Sequence, residues 1–130
     1  MISTAENVTN RDNVATNWNL GPVKTSIFAT ENTDYWSKMA DIWAVSDVVA
    51  RTQLCANCEY YDNTSEMMLE MNSIPLDVFD FDGGGRGFCE KFNFICHNLR
   101  TCMAWEDESS MDDMQEEAMK MILPQLIKGL

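Results

Sequence analysis

Five cysteines stand at positions 55, 58, 89, 96 and 102 of a 130-residue chain, and no other feature constrains its fold as strongly. Five thiols cannot all pair internally, so the set points to a thiol site or a metal centre rather than to a purely disulfide-stapled scaffold. Cys55-Ala56-Asn57-Cys58 is a C-x-x-C pair whose two thiolates reach one metal or one cluster from a single turn. Any four of the five have the makings of a tetrathiolate site. A chain of this length forms one domain of modest core, and in such domains a metal site supplies much of the folding free energy.

Charge narrows the partners. Twenty-one acidic residues face nine basic ones, a net charge of −12, so the chain lacks the basic track that a phosphate backbone or an anionic membrane surface requires. No direct nucleic-acid or membrane contact is expected. A hydrophobic content of 45% is too high for a chain that stays disordered throughout, and no apolar run approaches the roughly 20 residues that span a bilayer. The first residues, Met1-Ile2-Ser3-Thr4-Ala5-Glu6-Asn7, show no basic start and no apolar core, so synthesis in the cytoplasm without a signal peptide is expected. The sequons at Asn7-Val8-Thr9 and Asn63-Thr64-Ser65 then read as chance matches.

Along the chain, residues 1–32 are rich in Asn, Thr, Ser and Ala, with Gly21-Pro22 in the middle, and read as an extended polar arm lying on a partner. From 34 to about 50, Trp36, Met39, Ala40 and Trp43 follow the spacing of one helical face, with Thr33 as N-cap and an early stop available at Ser46-Asp47. Asn63-Thr64-Ser65-Glu66 has a capping-box pattern that predicts a short helix, ended by Ser73-Ile74-Pro75. Gly83-Gly84-Gly85-Arg86-Gly87 reads as a tight loop delivering Cys89. It fails as a calcium loop, because Lys91 stands where a bidentate Glu is needed, and as a phosphate cradle, because no Gly-Lys-Ser/Thr follows. Ser110 with Asp112 and Asp113 opens a C-terminal amphipathic helix over 109–130, whose Met114, Ala118, Met121 and Ile122 share a face.

The C-x-x-C pair has three readings: half of a zinc site, a redox pair, or half of an iron–sulfur site. No β-α-β context supports the redox pair. Zinc stays open through Cys89, Cys96 or His97 as further ligands. His97 is the only histidine, and a Cys-His neighbour pair in sequence is not a catalytic dyad, so no enzymatic activity is expected.

The residues around the cysteines carry more than the gaps between them. Cys55-Ala56-Asn57-Cys58-Glu59-Tyr60-Tyr61, then Gly87-Phe88-Cys89-Glu90-Lys91-Phe92, then Cys102-Met103-Ala104-Trp105 resemble, in order, three segments of the high-potential iron–sulfur proteins. The resemblance spans residues 53–106. It implies a small irregular α+β iron–sulfur domain with few short helices and strands, here residues 33–108 with the leading helix, between the arm and the C-terminal helix. It further implies that Cys55, Cys58, Cys89 and Cys102 ligate one [4Fe-4S] cluster, that Cys96 does not, and that Tyr60, Phe92 and Trp105 exclude water around it, with Tyr35 packing from the N-terminal side. Two roles fit such a cluster. The favoured one is a structural subunit of a larger assembly, for example a virion, in which the cluster staples the fold while the arm and the C-terminal helix hold neighbouring chains. The alternative is a soluble one-electron carrier.

Overall fold

The Ser3 N–H donates to the Glu6 carboxylate (3.2 Å) and the Glu6 N–H donates to the Ser3 hydroxyl (3.0 Å). This reciprocal capping box satisfies two of the N–H groups that a helix start leaves open, and helix α1 runs Thr4–Asn17. The computed structural model describes residues 1–24 and 31–107. The extended arm expected over 1–32 is therefore corrected: its residues 4–17 form a helix, and that helix packs on this chain's own sheet. Its asparagines, weak helix formers, are held by tertiary bonds. Buried Asn7 accepts from the Ile95 N–H at 2.7 Å, and Asn10 donates to the Asn93 carbonyl at 2.7 Å. Arg11 pairs with Asp77 at 2.8 Å. Val14 is sealed against Cys55, Phe94 and Cys96. The C-terminal helix expected over 109–130 lies outside the described residues.

Helix α2 runs Thr33–Trp43, with the expected face of Trp36, Met39 and Ala40 buried against Ala50. Thr33 is its first residue, and the cap position belongs to Asn32. Ala44, at φ 55°, turns the chain into the left-handed region and closes α2 before Ser46. The Ser46 hydroxyl then accepts from Val49 N–H (3.2 Å) and opens a short α3, Asp47–Ala50. The single helix expected over 34–50 is thus two. Helix α4, Ser65–Met71, starts where the capping pattern places a helix, with Thr64 as the cap.

A three-stranded antiparallel sheet holds the centre: β1 Tyr61–Asp62, β2 Arg86–Cys89 and β3 Phe94–His97, in that order. Gly84 takes a φ of 89°, which an L side chain resists, and the glycine segment then enters β2 rather than remaining loop. Residues alternate faces along a strand, and the register Gly87↔Cys96, Cys89↔Phe94 and Tyr61↔Cys89 sets all five of these residues on one face. The pairs Arg86↔His97 and Phe88↔Ile95 occupy the other. Gly87 is required where it stands: a Cβ there would lie 2.0 Å from the Tyr61 ring.

On that second face, Phe88 and Ile95 pack with Met71 and Ile74. Beside them Asp80 takes a two-pronged ion pair from Arg86 (2.7 and 2.8 Å) and a bond from His97 Nε2 (2.9 Å). The buried Arg100 guanidinium donates to the Pro22, Val23, Phe79 and Phe81 carbonyls and meets His97 Nδ1 at 2.7 Å. Arginine carries only donors, so Nδ1 accepts, the imidazole proton sits on Nε2, and His97 is neutral. Burial pushes the His97 pKa down, Asp80 opposes this, and Arg100 adds to it.

Candidate metal centre

Chain path brings all five cysteines to one open-mouthed cavity. A 3-10 turn at Cys55–Asn57 presents Cys55 and Cys58. Strands β2 and β3 contribute Cys89 and Cys96, and the segment after Thr101 contributes Cys102. Between the sulfurs the wall is apolar and aromatic, from Leu20, Tyr60, Tyr61, Phe92, Phe94 and Trp105.

Backbone hydrogen bonds fix the three segments to one another. Cys55 N–H donates to the Arg100 carbonyl (2.6 Å), Glu59 N–H to Glu106 (2.8 Å), and Met103 N–H to Trp18 (2.7 Å). Asn57, between the first two cysteines, is the knot. Its carbonyl oxygen accepts from Leu54 N–H (3.0 Å) and from the Trp105 indole (2.9 Å), and its amide donates to the Thr52 carbonyl (2.8 Å). One side chain thereby locks the turn of Cys55 and Cys58 to the segment that follows Cys102.

The sulfurs receive backbone donors. Cys58 accepts from the N–H groups of Glu106 and Tyr60, Cys89 from those of Phe92 and Lys91, and Cys102 from that of Ala104. Burial outweighs these bonds, pushing Cys89 up to about 11 and Cys102 up to about 12, and raising Cys58 in the same direction, with neighbouring thiols adding to the effect. Burial and neighbouring thiols disfavour the charged forms of Cys58, Cys89 and Cys102, an environment that a thiolate-bound metal group would relieve. Burial also raises the Tyr35 and Tyr61 phenols, which stay neutral.

Seven of the eight residues singled out from sequence line this cavity: Cys55, Cys58, Cys89, Cys102, Tyr60, Phe92 and Trp105. Tyr35 does not. Its hydroxyl lies one layer behind, donating between the Asn19 (2.8 Å) and Thr101 (3.2 Å) carbonyls, and Leu20 supplies the N-terminal wall in its place. Trp18 stacks obliquely on Phe92 with centroids 5.2 Å apart. Zinc ligation through His97 is corrected: the ring faces away from Cys96, with one nitrogen on Asp80 and the other on Arg100. Among the described residues no three His, Cys, Asp or Glu side chains converge to hold a single metal ion.

Sequence reasoning missed Cys96, Tyr61 and Thr101 as wall residues. Cys96 is buried and hydrogen-bonded to Cys55. The period-2 alternation of Phe94-Ile95-Cys96-His97 against Arg86-Gly87-Phe88-Cys89, read as a hairpin, was the signal that assigns Cys96 to the face of Cys89. Thr101 is fully buried, and its hydroxyl has no hydrogen-bond partner among the described residues.

No protein-family model matches the chain, and no curated protein or solved structure matches it either.

Proposed function

We propose that this chain binds a [4Fe-4S] cluster through Cys55, Cys58, Cys89 and Cys102, and that the cluster staples a structural subunit of a larger assembly. The observation that carries this reading is the cavity itself: thiols from three chain segments line one apolar, aromatic space. What favours a cluster over a lone zinc is the sequence around these cysteines, which resembles the cluster-binding segments described above. Backbone N–H groups directed at three of the four sulfurs are the bonds that tune such a centre. Bound there, the cluster supplies covalent cross-links between the 3-10 turn, the hairpin and the segment after Thr101. For the assembly role, support comes from large apolar side chains left in solvent, among them Val78 (86% exposed), Val48 (75%) and Leu69 (73%). The N-terminal helix packs on its own chain and is not counted as support for that role.

A one-electron carrier is the second reading, favoured by the open mouth of the cavity, which leaves a centre there near the surface. Anaerobic purification with iron, sulfide and zinc analysis tests the cluster. About four iron and four sulfide per chain are expected, and one zinc without sulfide overturns the proposal. A loaded monomer that cycles reversibly by one electron replaces the structural role with the carrier role.

A further inference from the structure

Thr101 precedes the proposed ligand Cys102 and lines the same cavity. Its backbone is fully engaged: the N–H donates to the Gly21 carbonyl at 2.7 Å, and the carbonyl accepts from Gly21 N–H (3.0 Å) and the Tyr35 hydroxyl (3.2 Å). The hydroxyl alone is left over. It is shut off from solvent and is the one buried side-chain polar atom among the described residues without a partner. An orphaned buried hydroxyl is costly, and native structures tolerate one where something else completes it. The cavity that Thr101 lines is otherwise walled by thiols, apolar and aromatic side chains and Lys91, none of which completes the hydroxyl, and a group held there would be its partner.

We infer that the Thr101 hydroxyl is a hydrogen-bond donor to sulfur of the group bound in the cavity. This rests on the cluster reading above. Thr101 is not a ligand. Its O–H withdraws charge from a sulfur, and so favours the more reduced state of the centre and raises its potential. At Cys55 a side chain plays a comparable part, since the buried Cys96 thiol is hydrogen-bonded to it. The bound group thus meets two kinds of donor: backbone N–H groups that any sequence supplies, and side-chain donors that only these residues supply.

Thr101→Val removes the donor at nearly constant shape, and Thr101→Ser keeps it. In anaerobically loaded protein, Thr101→Val is expected to retain wild-type iron and sulfide, to show a more negative midpoint potential, and to lose a deuterium-sensitive iron–sulfur stretching band that Thr101→Ser preserves. In metal-free protein, Thr101→Val is expected to unfold at the same urea concentration as wild type or a higher one, because the hydroxyl has no partner in the chain. An unchanged potential and band in Thr101→Val overturns the inference, as does a lowered midpoint of its metal-free form. Absence of iron and sulfide from the wild-type protein overturns the cluster reading itself, and is seen before any variant is made.

Discussion

The two faces of the β2–β3 hairpin hold opposite solutions to burying polar groups. One face carries Arg86 and His97, joined by Asp80 and Arg100 in a network whose charges and donors are met inside the chain. The other carries Cys89 and Cys96 in a cavity of thiols, whose charged forms burial disfavours more than backbone N–H groups favour them, and beside them an unpartnered hydroxyl. Both sites are buried and both hold residues rich in chemistry. The network is chemically complete, whereas the cavity is not, and on that incompleteness the proposed cluster rests. That difference, rather than the mere presence of reactive side chains, is what makes the cavity the candidate site.

The contrast can be broken from either side. The largest expected effect is on the cavity: Cys102→Ser should lose iron and sulfide and, with them, most of the cooperative unfolding transition seen in the loaded protein, because a structural metal group contributes on the order of 10 kcal/mol to such domains. Cys96→Ser should keep the iron. Metal analysis and thermal unfolding of both variants check this, and the reverse pattern would exchange the two cysteines' roles.

On the network side, Asp80→Asn leaves the Arg86 guanidinium without its counter-charge. Removing one partner of a buried pair costs about 3–5 kcal/mol. Urea unfolding should show that loss in the metal-free protein as fully as in the loaded one, since the network needs nothing from the cavity. A loss confined to the loaded protein would mean that the two faces are coupled.

Acid should act first through His97. Its folded pKa lies below the ordinary value of 6.5, so the unfolded state takes up a proton that the folded state refuses, and stability falls as pH drops below about 6.5 until the folded pKa is reached. The slope is at most about 1.4 kcal/mol per pH unit for one proton. Arg86 and Arg100 oppose a charge on the ring, and Asp80 alone favours it. Asp80 has the opposite starting state: burial would raise it, but bonds from Arg86, the Asp77 N–H and His97 hold it well below its usual 3.8. Its contribution is present above that value and is lost only at lower pH. His97→Gln should flatten the decline between pH 6.5 and 5 in urea midpoints measured across that range.

Smallest is the end of α1, the helix that touches both faces through Asn7 on Ile95 and Val14 against Cys55. Ser3→Ala removes the cap and should cost about 1 kcal/mol, read by urea unfolding, with iron content unchanged.

Much of the site was legible in the chain and much of its support was not. Cys55, Cys58, Cys89 and Cys102, with Tyr60, Phe92 and Trp105, could be named from sequence because each lies in a short contiguous motif, and the structure gathers them around one cavity. The faces of α2 and the start of α4 were legible for the same reason, since i, i+3, i+4 spacing and caps are local properties. Helix α1 was missed because Asn and Thr read as loop, although Ser3-Thr4-Ala5-Glu6 was a capping box in plain view. Tyr35 was misplaced by one layer, because a helix position in sequence says nothing about the depth at which its ring comes to rest.

By itself, then, the sequence determined the chemistry available: five thiols too many for pairing, an acidic surface, and motifs that resemble a cluster-binding family. Tertiary structure decided which groups were completed and which were left wanting. His97 and Cys96 are neighbours in the chain, yet strand alternation sends one into a closed ionic network and the other to the cavity wall. Hydrogen-bond completion depends on residues up to 88 positions apart, as Asn7 and Ile95 are, and no local pattern encodes such a meeting.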